Sequence, residues 1–459
     1  MRGYGAVAIV AVVLLLPISR SLASDAPWQI GLASVCITPE QPVWLYGYAN
    51  QNRFQPFDGR LDDLFARAMA IQCPEGELAV LITADLCVLR EPEERELSLV
   101  LTQRTGLQRR QILLNWSHTH SGPMIGTSDL NRYPIPEEDL QRTKAYTQWL
   151  WNRLADVAQA ALDDRQPAWL AWEVGRADFI RNRRSLDADG KYHRMAPYPD
   201  GPIDATVPVL RIDGPDGQLR GVVFGAACHP VTLGGSNRKV SADFPGYARQ
   251  AIEQQHPGST TLFVQGCGAD ANPEPRATAD QQEWVQRHGA SLGAEVCRVL
   301  AGSMQPVTGP LRVAFTRVDL PLVSPPPAER LEQLAEGPFW ESHNARRILQ
   351  AQRLGQPLAE HYPAPLALWL FGDSLTLVAL SGEVVADYVP LVAAAVETQP
   401  LWVAGYSNQV YGYLPSARVI EQGGYETLGL VSAHIGWFSA QAEQVLKQAI
   451  SDLQADLCR

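Results

Sequence analysis

The stretch QILLNWSHTHSGP, residues 111–123, decides both the fold and the chemistry that we predict for this chain. Its first part, residues 111–116, is short, mostly apolar and bounded by turn-forming residues, which predicts a buried strand. In an extended chain, residues two apart point the same way, so His118 and His120 can converge on one point at the strand's end. That arrangement suits a metal ion. A pair of histidines hydrogen-bonded within a loop is the alternative interpretation.

Polar residues also follow other apolar runs. His229 comes directly after the run 221–227, and Glu383 follows the run that ends at Leu380. Residues 265–273 follow a further run and contain small residues that let a backbone approach a ligand closely. Tyr413 lies in a Gly-containing loop, where a tyrosine by itself is more typical of packing than of chemistry. Polar groups gathered at strand ends are what an active site needs.

Strand-like and helix-like patterns alternate along the chain. Predicted strands are residues 78–84, 111–116, 207–212, 221–227 and 260–264, with further strands near 311–322 and 365–380. Predicted helices are residues 93–105, 140–162, 247–255, 281–301 and 436–454. This mixture predicts an α/β (mixed α+β) fold, in which one large catalytic domain has a central mixed sheet and its active site at strand ends. A Pro-rich start and a charged helical pattern indicate an inserted helical arm over residues 323–362.

The N-terminus has the pattern of a cleavable signal peptide over residues 1–23. Arg2 gives a positive start, residues 6–17 are apolar, and small residues precede the expected cleavage site. We therefore expect a mature chain, residues 24–459, that is secreted or periplasmic and has no stable transmembrane anchor. An uncleaved N-terminal anchor is the alternative, and Arg20 near the cleavage site slightly favours it.

Composition excludes some functions. The chain has 38 Lys and Arg against 49 Asp and Glu, a formal net charge of −11, which argues against nucleic-acid binding. Seven cysteines leave at least one unpaired, and most of them lie in apolar runs without CxxC spacing. We therefore expect mainly buried thiols rather than metal ligands or catalytic groups.

These motifs, in this order, resemble the neutral/alkaline non-lysosomal ceramidase family of zinc amidases. The resemblance extends from about residue 30 to residue 442. The segments that carry it are ITP at 37–39, GY at 47–48, DLFARA at 63–68, TADL at 83–86 and, as the most specific, HTHSGP at 118–123.

The resemblance implies a function and roles for individual residues. The implied reaction is hydrolysis of an amide in an N-acyl lipid or related compound by zinc-activated water. One Zn²⁺ per chain would be held by His118, His229, Glu383 and Tyr413. His120 would carry protons, and Arg183 or Arg184 with Tyr425 would bind the scissile amide and stabilise the oxyanion. We expect Asp85, Asp243 and Asp270 to orient the ligand imidazoles.

The sequence also departs from the family pattern. Asn272 takes the place of the serine implicated in the ceramidase reaction. Because the chain ends soon after its terminal helix, we expect no C-terminal immunoglobulin-like domain. Both departures weaken the transfer of ceramide itself as the substrate. A zinc esterase and a non-catalytic cell-envelope binding protein on the same scaffold therefore remain alternatives.

Overall fold

The structure is a computed structural model of the chain. It describes residues 28–459 except residues 74, 127, 129, 131–132, 338, 398–399 and 428–435, and of residues 339–341 it describes only the backbone. The predicted signal peptide, residues 1–23, lies outside the described residues.

Strands and helices alternate along the chain. The strands are β1 (Trp28–Cys36), β2 (Gly59–Arg60), β3 (Phe65–Gln72), β4 (Leu78–Ala84), β5 (Ile112–Trp116), β6 (Gln166–Arg176), β7 (Ile180–Leu186), β8 (Tyr192–Tyr198), β9 (Thr206–Asp213), β10 (Leu219–Ala226), β11 (Lys239–Val240), β12 (Thr260–Gln265), β13 (Ala271–Pro273), β14 (Gln305–Val307), β15 (Leu311–Val323), β16 (His361–Phe371), β17 (Leu375–Leu380), β18 (Glu383–Val384), β19 (Leu401–Ala404), β20 (Tyr413–Leu414) and β21 (Trp437–Phe438). The helices are α1 (Glu91–Thr105), α2 (Glu137–Asp163), α3 (Asp243–Gln255), α4 (Gln281–Leu300), α5 (Ala328–Ala335), α6 (Phe339–Arg353), α7 (Tyr388–Ala393), α8 (Ala417–Gln422) and α9 (Ala442–Cys458).

Two mixed sheets form the centre of the domain. The larger sheet has the order β12-β10-β9-β6-β1-β3-β4-β5, with β14 paired to β6. Its end pairs β10–β12 and β4–β5 are parallel, whereas the pairs along the order between them are antiparallel. The second sheet has the order β19-β17-β16-β15-β21. The predicted mixed α/β domain is therefore confirmed.

Side chains of successive strand residues point to opposite faces of the larger sheet, and each face packs against a different core. In β3, Met69 and Ile71 face a core that lies between the two sheets. The alternate residues Ala68 and Ala70 face a second core under α1 and α2. Helices α3 and α4 cover the rest of the larger sheet's outer face, and α7 to α9 cover the second sheet. The result is a helix–sheet–sheet–helix arrangement.

A single buried amide joins the ends of three strands. The side chain of Asn115, in β5, accepts a hydrogen bond from the Gln265 N–H at 2.8 Å and donates to the Gly405 carbonyl, also at 2.8 Å. Gln265 ends β12, and Gly405 directly follows β19. Because β5 and β12 are the two outermost strands of the larger sheet, this contact shows that the sheet curls until its edges meet.

The predicted elements agree with the structure except at two places. The predicted helix 436–454 is wrong at its start, because residues 437–438 form β21 and the helix begins only at Ala442. The predicted single strand 365–380 is a hairpin of β16 and β17, which turns at Gly372, where φ is +52°. The predicted elements also lack β1, β3 and β6, three strands of the larger sheet, and the hairpin β7–β8, whose charged sequence contains no apolar run.

Other sequence predictions can be compared with the structure in the same way. Helices α5 and α6 occupy the stretch predicted as an inserted helical arm, and they pack around a small core of their own. None of the described helices combines the length and the apolar composition needed to cross a membrane. All seven cysteines are free, and four of them are buried: Cys87, Cys228, Cys267 and Cys297.

Candidate metal centre

Three polar side chains meet where three strands end. His118 follows β5, His229 follows β10, and Glu383 follows β17 as the first residue of β18. The Nε2 atoms of His118 and His229 each lie 3.3 Å from Oε2 of Glu383. All three side chains are buried, so the carboxylate and the two imidazoles face one another away from bulk water.

Backbone carbonyls fix the orientation of both imidazoles. Nδ1 of His118 lies 2.7 Å from the Cys87 carbonyl oxygen, and Nδ1 of His229 lies 2.8 Å from that of Gly268. A carbonyl oxygen only accepts hydrogen bonds, so each Nδ1 must donate. In the neutral imidazole this leaves the lone pair on Nε2, the atom that faces Glu383. Two imidazole nitrogens and a carboxylate oxygen are donors that zinc accepts, and the residues therefore fit a divalent cation.

The electrostatics of the three groups are strongly coupled. Burial lowers the pKa of His118, but interactions with Cys87 and Glu383 outweigh it and raise that pKa to about 10. Burial and the charge of Arg183 lower the pKa of His229 to about 3. Burial alone would raise the pKa of Glu383, yet the two imidazoles hold it well below its usual value. The Glu383 carboxylate is thus held in its negative form, and it in turn stabilises a positive charge at His118.

The backbone at the centre is strained. His118 has φ +67° and Tyr406, which packs against its imidazole at a centroid distance of 4.6 Å, has φ +49°. Such left-handed conformations cost of order 1–3 kcal/mol for residues other than glycine and cluster at functional sites. The His118 N–H donates to the Leu86 carbonyl at 2.9 Å, which helps to hold the strained residue in place.

Tyr413 lies next to the cluster because β18 and β20 pair in parallel, with Glu383 in register with Tyr413. Nη2 of Arg183 donates to the Tyr413 hydroxyl at 3.1 Å, and its Nε donates to Glu426 at 2.9 Å. The Tyr425 ring packs edge-on against Tyr413 at 5.5 Å. Burial, together with the charge of Glu383, raises the pKa of Tyr413 well above its usual value. The structure thus brings Tyr413, Arg183 and Tyr425 together.

Arg184 has different neighbours from Arg183. It forms a buried ion pair with Glu426, and it donates to the Gly423 carbonyl at 2.7 Å instead of to Tyr413. Asn272, in β13, lies on the other side of Arg183, with its Oδ1 3.4 Å from Nη1. Of the two candidate arginines, Arg183 is the one that reaches the cluster.

His120 lies beside the cluster, in a cavity of about 190 Å³ that Tyr48, Glu383, Tyr413 and Tyr425 also line. Its Nε2 lies 3.1 Å from Nε2 of His118. Burial and the neighbouring histidines lower the pKa of His120 well below its usual value. The imidazole of His120 is therefore neutral at pH 7.

Sequence reasoning missed the residues that hold His120. Gly47 has φ +106°, and a Cβ atom at this position would overlap Cγ of His120. Tyr48 packs edge-on against the imidazole at 4.9 Å, and the buried guanidinium of Arg53 donates to the His120 carbonyl. The GY pair was visible in the sequence, but nothing in its pattern indicated which side chain it contacts.

The prediction that three aspartates orient the ligand imidazoles is wrong. Asp85 forms a buried ion pair with Arg249, Asp243 accepts from the Leu233 N–H at 3.0 Å, and Asp270 accepts from the Ala386 N–H at 2.9 Å. These carboxylates satisfy backbone and arginine donors near the start of α3 and beside β18. Backbone carbonyls orient the imidazoles in their place.

Fold and site together define a mixed αβ domain with a buried cluster of two histidines and a carboxylate at its strand ends. The model of the N-terminal part of the neutral/alkaline non-lysosomal ceramidase family matches residues 28–302. The chain therefore belongs to this family.

Curated relatives include neutral ceramidase B of Dictyostelium discoideum, which is 27% identical over 265 residues, 55% of this chain and 36% of the relative. The neutral ceramidase of Pseudomonas aeruginosa is 28% identical over 326 residues, 68% of this chain and 48% of the relative. The chain thus spans less than half the length of these relatives. The crystal structure of the Pseudomonas aeruginosa neutral ceramidase has the same fold, with a TM-score of 0.73 at 20% identity over 95% of this chain and 75% of that one.

The different contacts of the arginines predict different effects on stability. Replacing Arg184 by leucine removes its hydrogen bond to the buried Glu426 carboxylate, which keeps its ion pair with Arg183, so the free energy of unfolding should fall by about 1.5–3 kcal/mol. Arg298→Leu removes an arginine from an exposed ion pair with Glu295 and should leave the free energy of unfolding nearly unchanged. Denaturant titration of both variants measures the difference, and equal midpoints would contradict the structural role of Arg184.

Proposed function

We propose that this chain is an exported, zinc-dependent hydrolase that cleaves the amide bond of an N-acyl lipid or a related compound. One observation carries the proposal: the Nε2 atoms of His118 and His229 both face the same carboxylate oxygen of Glu383. Membership of the ceramidase family supports an acyl-amide substrate. The signal-peptide pattern of residues 1–23 supports export.

Four residues would hold the zinc ion: His118, His229, Glu383 and Tyr413. When bound, zinc supplies Lewis-acid activation of water and of the amide carbonyl at neutral pH. Tyr413 fits the fourth place because it pairs in register with Glu383 and its hydroxyl accepts a hydrogen bond from Arg183.

His120 carries the proton in this reaction. Its neutral imidazole lies in the cavity beside the cluster, where Nε2 can take a proton from the attacking water. The same atom then delivers that proton to the leaving nitrogen as the C–N bond breaks. Water is thereby added across the amide, and the products are a fatty acid and an amine.

Arg183 and Tyr425 act on the scissile amide. Arg183 is buried, and although burial lowers its pKa, Tyr413 and Glu426 raise that pKa well above the usual value. It therefore keeps a fixed positive charge near the place where negative charge develops on the carbonyl oxygen. We assign this role to Arg183 rather than to Arg184, because Arg183 contacts Tyr413 whereas Arg184 donates to the Gly423 carbonyl.

Asn272 supports water as the nucleophile. A carboxamide has no hydroxyl that could attack the amide, and the Asn272 oxygen faces Nη1 of Arg183. Asn272 thus serves to place the guanidinium, and the reaction proposed here needs no side-chain nucleophile.

Metal analysis and acyl-substrate assays test the proposed function. The wild type, purified without added metal, should contain about one zinc per chain, and His118→Ala and Glu383→Ala should each lose it. His288→Ala is the matched control, since this buried histidine contacts Pro275 and Phe179 instead of the cluster. Zinc-loaded wild type should hydrolyse a long-chain N-acyl amide. The proposal would be refuted by a wild type that binds no added zinc. It would also be refuted by a wild type that hydrolyses only the ester with the same acyl chain.

The contact between Gly47 and His120 gives a second prediction. Gly47→Ala should push the imidazole from its place and lower kcat by about 10²-fold, because a displacement of about 1 Å can cost that much, while zinc content stays unchanged. Gly217→Ala is the control for backbone strain, since Gly217 also has a positive φ of +75°, but a Cβ atom added there would meet no heavy atom within 4 Å. Equal kcat values in the two variants would show that Gly47 has no role in placing His120.

A further inference from the structure

A thiol borders the candidate metal centre beside His118. Cys87 is buried, lines the same cavity as His118 and His120, and places its Sγ 3.7 Å from Nδ1 of His118. Its own carbonyl accepts the hydrogen bond from that Nδ1. Cys87 therefore provides both the thiol beside the His118 imidazole and the carbonyl that holds this imidazole in place.

Cys87, His118 and His120 form a second set of metal-binding groups. Each offers one ligand atom, and the three atoms lie within 4.8 Å of one another. On a tetrahedral ion with a metal–sulfur distance of about 2.3 Å and metal–nitrogen distances of about 2.0 Å, the ligand atoms are about 3.5 Å apart. Closing the set around an ion thus needs any two ligand atoms to approach each other by at most about 1.3 Å.

We propose that Cys87, His118 and His120 form a site for a soft divalent cation such as Cd²⁺, in competition with the zinc set. A thiolate with two imidazoles suits soft cations, whereas the set of His118, His229 and Glu383 offers no sulfur. On binding, the Cys87 S–H bond gives its proton to solvent and a sulfur–cadmium bond forms.

The two sites exclude each other because they share the side chain of His118. A neutral imidazole has a single lone pair, and one lone pair serves one ion. The soft cation also takes His120, to which we assign proton transfer. Inhibition by Cd²⁺ therefore rests on the proposed hydrolase function, but Cd²⁺ binding at Cys87 does not.

The first test follows the thiolate-to-cadmium charge-transfer absorption in the ultraviolet during Cd²⁺ titration. The protein should carry serine at the three exposed or partly exposed cysteines, Cys36, Cys73 and Cys458, to remove their signals. In this background Cys87→Ser should abolish the absorption and weaken Cd²⁺ binding at least about 10-fold. An unchanged absorption in Cys87→Ser would overturn the proposal.

Cys228→Ser is the matched control. Cys228 is also buried and precedes a candidate ligand, His229, but its thiol faces the backbone carbonyl of that residue. This variant should keep the absorption. Its loss in Cys228→Ser with retention in Cys87→Ser would place the soft cation elsewhere.

Cadmium NMR of the same background, without substitution at Cys87, covers the case in which Cys87→Ser does not fold. The ¹¹³Cd resonance should show the strong downfield shift that a thiolate ligand causes. A resonance typical of nitrogen and oxygen ligands alone would overturn the proposal. Neither measurement needs a substrate, so absence of hydrolysis would refute the proposed function while leaving the cadmium site to be judged on its own spectrum.

Discussion

The buried amide of Asn115 is the constraint on which the site depends. It has no exposed surface, and it ties the end of β5 to the end of β12 and to the residue after β19. A buried amide without partners is costly, so the chain gains most when all three ends meet. Because His118 comes three residues after Asn115, these hydrogen bonds also fix the position of the His118 backbone.

The other site residues follow from strand pairing rather than from local sequence. The parallel pair β10–β12 places His229 at the same end of the larger sheet as His118. The pair β18–β20 sets Glu383 beside Tyr413. Hydrogen bonds to backbone carbonyls then determine the tautomer of each imidazole. Both Nε2 atoms are left facing the Glu383 carboxylate. The polar cluster is thus preorganised by the fold, and its strained residues are held by the surrounding hydrogen bonds.

The sequence was enough to predict the mixed α/β class and the elements with clear apolar patterns, such as β4, β5 and α2. Its H-x-H pair and the histidine after β10 correctly indicated polar groups at strand ends. What it could not indicate depends on tertiary contacts. The choice between Arg183 and Arg184, on one charged hairpin strand, rests on their different partners, Tyr413 and Gly423, which are more than 200 residues away. The contact of Gly47 with His120 joins two loops, and the three aspartates pair with arginine and backbone donors instead of with the imidazoles.

X-ray absorption at the zinc edge of the zinc-loaded chain tests most directly whether residues from three strand ends share one ion. We predict a first shell of nitrogen and oxygen at about 2.0 Å, with outer-shell scattering from two imidazoles and no sulfur at about 2.3 Å. Scattering from one imidazole only, or a sulfur shell in the absence of soft cations, would contradict the proposed set of His118, His229, Glu383 and Tyr413.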